Sequence, residues 1–152
     1  MPLITPSYLY TFVALLAVSS LLVFSFMAYS GNIRYSSEAR QLRNLMSTVA
    51  AKSTELLTLI LTTNASVEAY IEMPASIGSQ QYWIQLQNNS AKAWLGGGFG
   101  NVRAEVSDLR VYLLKVTFAT GYYAAGHGPA KLVCHSIDNV PNIELTAFNE
   151  GN

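Results

Sequence analysis

Cys134 is the single thiol of the chain, and His135, one of its two imidazoles, follows it directly. A thiol becomes a nucleophile when a nearby base takes its proton, so this pair is the first candidate for covalent chemistry. The alternation Leu132-Val133-Cys134-His135-Ser136 reads as a strand, however. Neighbouring strand residues point to opposite faces, which parts the thiol from the imidazole. Cys134 is then expected to be a small core residue. His127 sits in the loop pattern Gly126-His127-Gly128. Two imidazoles without spaced carboxylates or further cysteines do not make a metal site.

The glycine-rich stretch Gly96–Gly100 raises a second possibility, a phosphate cradle. Such cradles place glycines between a strand and a helix N-terminus, at a fixed spacing or with a lysine. Neither pattern is present, and the residues that follow read as strand, so a flexible loop or bulge is expected. Glu68, Glu72, Glu105, Asp108, Asp138 and Glu144 are spread one to a strand or turn and give no paired carboxylates for acid–base work. No catalytic residue, metal or cofactor is expected, and the chain is not expected to be an enzyme. The aromatic residues Tyr70, Tyr82, Trp83, Trp94, Tyr112, Tyr122 and Tyr123 are too many for one small core. They either fill a second sheet face or lie outside, where such rings favour protein contacts.

The elements that carry these residues are of three kinds. The first 33 residues contain no charged side chain, and Tyr8 to Tyr29 is almost unbroken apolar sequence. About 20 residues of helix cross a hydrocarbon layer of about 30 Å, so this run can span a membrane. A cleaved signal would have a basic start and a shorter apolar core. Tyr8, Tyr10 and Tyr29 suit the two interfaces, where a ring sits among headgroups with its hydroxyl wet. From Ser36 to about Thr62 the period becomes helical. Ala39, Leu42, Leu45 or Met46, Val49, Leu56 and Ile60 recur at steps of three and four. Gly31-Asn32, between the two stretches, is the expected place for a kink or short break. After Asn64 the period becomes two.

Strands are expected at Val67–Met73, at Tyr82–Gln87 with a return over Ala91–Leu95, and at about Val102–Val106, Leu109–Thr117, Lys131–Ile137 and Ile143–Phe148. Asn88-Asn89 supplies the hairpin turn. The fold class is therefore α+β, a long N-terminal hydrophobic helix followed by a small antiparallel β-sandwich or barrel. Its parts are a hydrophobic helix over 1–34, an amphipathic continuation over 35–63 and a β-rich domain over 64–152.

Zero formal net charge with 12% charged residues argues against nucleic-acid binding. One cysteine excludes an intramolecular disulfide. Arg34, Arg40, Arg43 and Lys52 behind the apolar run argue for a cytoplasmic C-terminal part. Against them stand two N-glycosylation patterns, at Asn64 and Asn88, and a downstream composition rich in Tyr, Thr, Asn, Gln and Gly. An external C-terminal domain is expected on balance.

An apolar helix, a helical continuation and a compact β-domain together resemble the type IV pilin-like architecture of archaea, shared by archaellins, adhesion pilins and membrane-anchored archaellum stator proteins. Pro6-Ser7-Tyr8-Leu9-Tyr10 entering the span, and Met73-Pro74-Ala75-Ser76-Ile77-Gly78 followed by Tyr82-Trp83-Ile84-Gln85-Leu86, carry the nearer resemblance. It implies a structural subunit of an extracellular filament at the cell surface, anchored in the membrane before assembly. Copies of the chain would be its partners. The helix-assembly face would include Phe12, Leu15, Leu16, Leu22 and Phe26, continued by Leu42, Leu45 and Val49. Met1 to Ser7 holds no Lys or Arg, whereas pilin precursors usually carry a short basic leader. This motivates the alternative of a permanently anchored surface or stator-like protein whose β-domain binds an envelope partner.

Overall fold

The computed structural model describes residues 6–89, 91–100, 109–113, 118–138 and 140–148. The element order is one helix, α1 (Pro6–Thr63), and seven strands. These are β1 (Val67–Ile71), β2 (Tyr82–Asn88), β3 (Ala93–Phe99), β4 (Leu109–Tyr112), β5 (Phe118–Ala124), β6 (Ala130–Ile137) and β7 (Val140–Ala147). The fold is α+β, and the chain divides into two compact units, Met1–Ser37 and Glu38–Asn152.

In the first unit α1 is described from Pro6 onward. Gly31 and Asn32 are helical and do not break the element. One glycine costs a helix about 1 kcal/mol. A break would strand several backbone N–H and C=O groups at each new end, which costs more in an apolar setting.

In the second unit the remainder of α1 buries Leu42, Met46, Val49, Ser53, Leu56, Leu57 and Ile60, the stripe spaced at three and four residues. Ser53 is buried without penalty because its Oγ donates to the Val49 carbonyl at 2.7 Å. The helix stops at Asn64, whose φ of 52° is left-handed and whose N–H donates to the Ile60 carbonyl at 2.8 Å. Asparagine tolerates that conformation better than most residues, so it serves as the C-terminal stop.

The strands form one sheet in the order β1-β6-β7-β5-β2-β3-β4. All neighbours pair antiparallel except β5 and β7, which run parallel from Phe118↔Asn142 to Gly121↔Leu145. Among the described residues the sheet neither closes into a barrel nor meets a second sheet. The helix stripe packs where a sandwich would place its other sheet. Tyr82, Ile84 and Leu86 of β2, Leu95 of β3, Tyr123 of β5, Leu132 and Cys134 of β6, and Ile143 and Leu145 of β7 share one core with it.

Three strand expectations need correction. Gly96, Gly97 and Gly98 are not a loop but lie inside β3, paired with Gln85, Ile84 and Trp83. Their lack of a side chain admits neighbours on both faces. A Cβ on Gly97 would come within 2.7 Å of Met46 Sδ from the helix, and one on Gly98 within 2.9 Å of the Trp83 ring. β5 was not anticipated, because Phe118-Ala119-Thr120-Gly121-Tyr122 shows no clean alternation. β7 also starts earlier than expected, at Val140, and includes Pro141. The segment read as a strand at 102–106 lies outside the described residues, as does 114–117 of the longer strand expected from Leu109.

Candidate functional site

Two surfaces stand out. The first is the apolar helix of the first unit. Phe12, Leu15, Leu16, Leu22 and Phe26 are between 53% and 74% exposed. They do not form a distinct face, because Val18, Leu21 and Phe24 on other sides of the helix are equally exposed. A helix that is apolar all round belongs in lipid or in the middle of an assembly, since water disfavours every side of it. It is long and apolar enough to cross a membrane.

The continuation of the assembly face into the second unit requires correction. Leu42 and Val49 are 0% exposed, and Leu45 is half-buried against the same core. Their spacing marks a buried stripe equally well whether the cover is a partner helix or the chain's own sheet. Here it is the sheet, so Leu42 and Val49 are spent on folding.

The second surface is the sheet face turned away from the helix. Alternation places Trp83, Gln85 and Gln87 of β2 there, with Trp94 of β3, Arg110 and Tyr112 of β4, and Thr120 and Tyr122 of β5. Trp94 is held from several sides. Its Nε1 donates to Gln87 Oε1 at 3.0 Å, the Tyr112 ring lies 6.4 Å away at 57°, and the Arg110 guanidinium sits 5.6 Å from its centroid. Further along this face Lys131 Nζ meets Glu68 Oε2 at 2.9 Å. That hydrogen bond raises the lysine's pKa above its ordinary value. Tyr70 packs edge-on against Phe148 at 5.2 Å.

Pairing between β2 and β5 ends at Leu86↔Gly121. Beyond it β2 continues with β3 as far as Asn88↔Ala93, while β5 continues with β7 back to Phe118↔Asn142. The sheet therefore forks, and an open groove of about 530 Å³ lies in the fork. Gln85, Gln87, Asn88, Trp94, Thr120 and Tyr122 supply its side chains. Gln85 is only 7% exposed, and its Oε1 has no hydrogen-bond partner.

Cys134 and His135 take opposite faces of β6 as the alternation requires, the thiol fully buried and the imidazole half-buried. Burial pushes the Cys134 thiol up to about 11, so it stays protonated and is a poor nucleophile. His127 is exposed in its loop. Tyr82 and Tyr123 are core residues whose hydroxyls donate to the Pro74 and Gly128 carbonyls at 2.7 and 2.5 Å. Their pKa values are raised, chiefly by burial.

Of the two glycosylation patterns, Asn64 is exposed at the helix end. Asn88 is half-buried in β2, and Ser90 of its triplet lies outside the described residues. Asn89 makes the hairpin turn, its Oδ1 accepting from the Ala91 and Lys92 amides at 3.0 and 2.7 Å.

The fork was missed at the level of sequence because it needs three strand partners to be known. Its one local signal was Gly121 amid β-branched and aromatic residues, a usual mark of a bulge or close approach. Comparison with protein-family models, curated proteins and solved structures returned no match of any kind.

Proposed function

We propose that the chain is a structural subunit of an archaeal type IV pilus-like filament at the cell surface, stored in the membrane until assembly. The observation that carries this reading is the exposed apolar helix of the first unit, followed in the chain by a unit that has a hydrophobic core of its own. In lipid the helix satisfies its own backbone, as a span must. On assembly it would exchange lipid for copies of itself, leaving the sheet domains outside. Head-to-tail contacts that do not close on themselves give an open helical array.

Electron microscopy of the full-length protein after detergent removal, with the mass of its N-terminus, tests this. Filaments, and recovery of the chain in sheared surface filaments, are expected. Protein that stays monomeric under all assembly conditions and never leaves the membrane fraction would refute it.

A permanently anchored surface or stator-like protein is the second reading. The exposed Tyr70 and Tyr112 on the sheet face turned away from the helix favour it, because large amphipathic rings suit a protein contact. Recovery of the chain in membranes alone, bound to an envelope protein through that face, would select it.

A further inference from the structure

We propose that the fork between β2 and β5 binds a neutral saccharide, one or two sugar rings in size. The groove's volume of about 530 Å³ lies within the range of small-molecule sites, about 300–1,000 Å³. Among the described residues no charged side chain lines it, which disfavours phosphorylated or acidic ligands. Its polar groups are side-chain amides and the Thr120 hydroxyl, and these offer both donors and acceptors. Trp94 and Tyr122 add ring surface. A sugar ring matches this combination, with hydroxyls around its edge and apolar C–H groups on its faces.

Two features show a site prepared in advance. Trp94 is fixed by Gln87, Tyr112 and Arg110 before any ligand arrives, so little ordering cost remains for binding. Gln85 keeps a buried carbonyl oxygen with no donor, one pairing step from the fork at Gln85↔Tyr122. Buried polar atoms are nearly always paired, and an orphan calls for a cause. The terminal torsion of a glutamine is soft. A small shift of the side chain, short of exchanging the two ends of the amide, brings that oxygen to a hydroxyl entering the groove, which supplies the missing donor. An extended peptide is the other natural guest of a split sheet. Peptide recognition of that kind relies on pockets for alternate side chains, and the polar part of this lining is chiefly amides beside the fixed Trp94 ring.

The inference does not rest on filament formation and is tested on the full-length monomer in a detergent without a sugar headgroup. Glucose, mannose, galactose, N-acetylglucosamine and their disaccharides are titrated while Trp fluorescence is followed. At least one is expected to bind saturably with a Kd of about 1 mM or tighter. Gln85→Leu should weaken that binding about tenfold or more without lowering the Tm, because it removes an oxygen that folding leaves unpaired. If Gln85→Leu does not fold, Thr120→Val on the opposite wall serves the same purpose. No saturable response to any neutral sugar overturns the proposal. So does unchanged affinity in the folded variant, or a response to an extended peptide with none to sugars.

Discussion

Replacing Gly121 by alanine tests whether the fork is built as described. Gly121 has φ +133°, a conformation that L side chains rarely adopt, and it sits where β5 leaves β2 and joins β7. A Cβ there would fall on the Leu145 carbonyl oxygen, 2.5 Å from its nitrogen and 2.8 Å from its carbonyl carbon. All three are backbone atoms inside the ladder and cannot rotate away. Strain of this backbone kind costs about 1–3 kcal/mol, and overpacking adds about 1–3 kcal/mol. The sum is a large part of a typical stability of about 5–15 kcal/mol. Gly97→Ala is the control. Its Cβ would meet Met46 Sδ at 2.7 Å and the Trp83 carbonyl oxygen at 3.3 Å, but a thioether on a flexible chain can shift, so the cost should stay near the low end of overpacking, about 1 kcal/mol. Both variants are melted in full-length form while the buried Trp83 reports by fluorescence. The expected result is a Tm lowered by more than about 10 °C in Gly121→Ala and far less in Gly97→Ala. Equal melting of the two, or a Gly121→Ala protein as stable as the parent, would mean that β5 does not pair parallel with β7 as described.

Leu42→Ala should destabilise the second unit by about 2–5 kcal/mol, seen as a lower urea midpoint, because it empties a fully buried site. Loss of self-association with an unchanged midpoint would return Leu42 to an assembly face. Leu22→Asp acts oppositely. It should impair membrane insertion by about 2.5–3.5 kcal/mol and abolish assembly, while circular dichroism reports a sheet that melts like the parent. Burial lifts the Cys134 thiol from 9.0 to about 11, so the folded state favours the protonated form. Its contribution is fully present below about pH 9 and is lost as the pH rises toward about 11, the sign that linkage requires for a raised acid. The raised Tyr82 and Tyr123 act in the same direction. Rapid reaction of the native thiol with Ellman's reagent near pH 8 would contradict this placement.

Most of the element layout was legible because hydrophobic period is a local property. The uncharged run before Arg34, the stripe from Leu42 to Ile60, and the alternation in β1, β2 and β6 each follow from side-chain spacing along a few turns or residues. The same spacing separated Cys134 from His135 without reference to any other strand. Other features depended on what faces them. Leu42 and Val49 could have been covered by a neighbour's helix or by their own sheet, since an apolar stripe is indifferent to the origin of its cover. Gly96–Gly98 looked like a break because glycine lacks strand propensity, yet the approach of Met46 at Gly97 and of Trp83 at Gly98 calls for it there. The fork arises only when β2, β5 and β7 meet, and it brings Gln85, Trp94 and Thr120 together from three strands. By itself the sequence determined that one segment avoids water and that a β-domain follows, because transfer free energy and strand alternation belong to the chain. The covered faces, and the open groove beside Gly121, were decided by long-range pairing that no local pattern encodes.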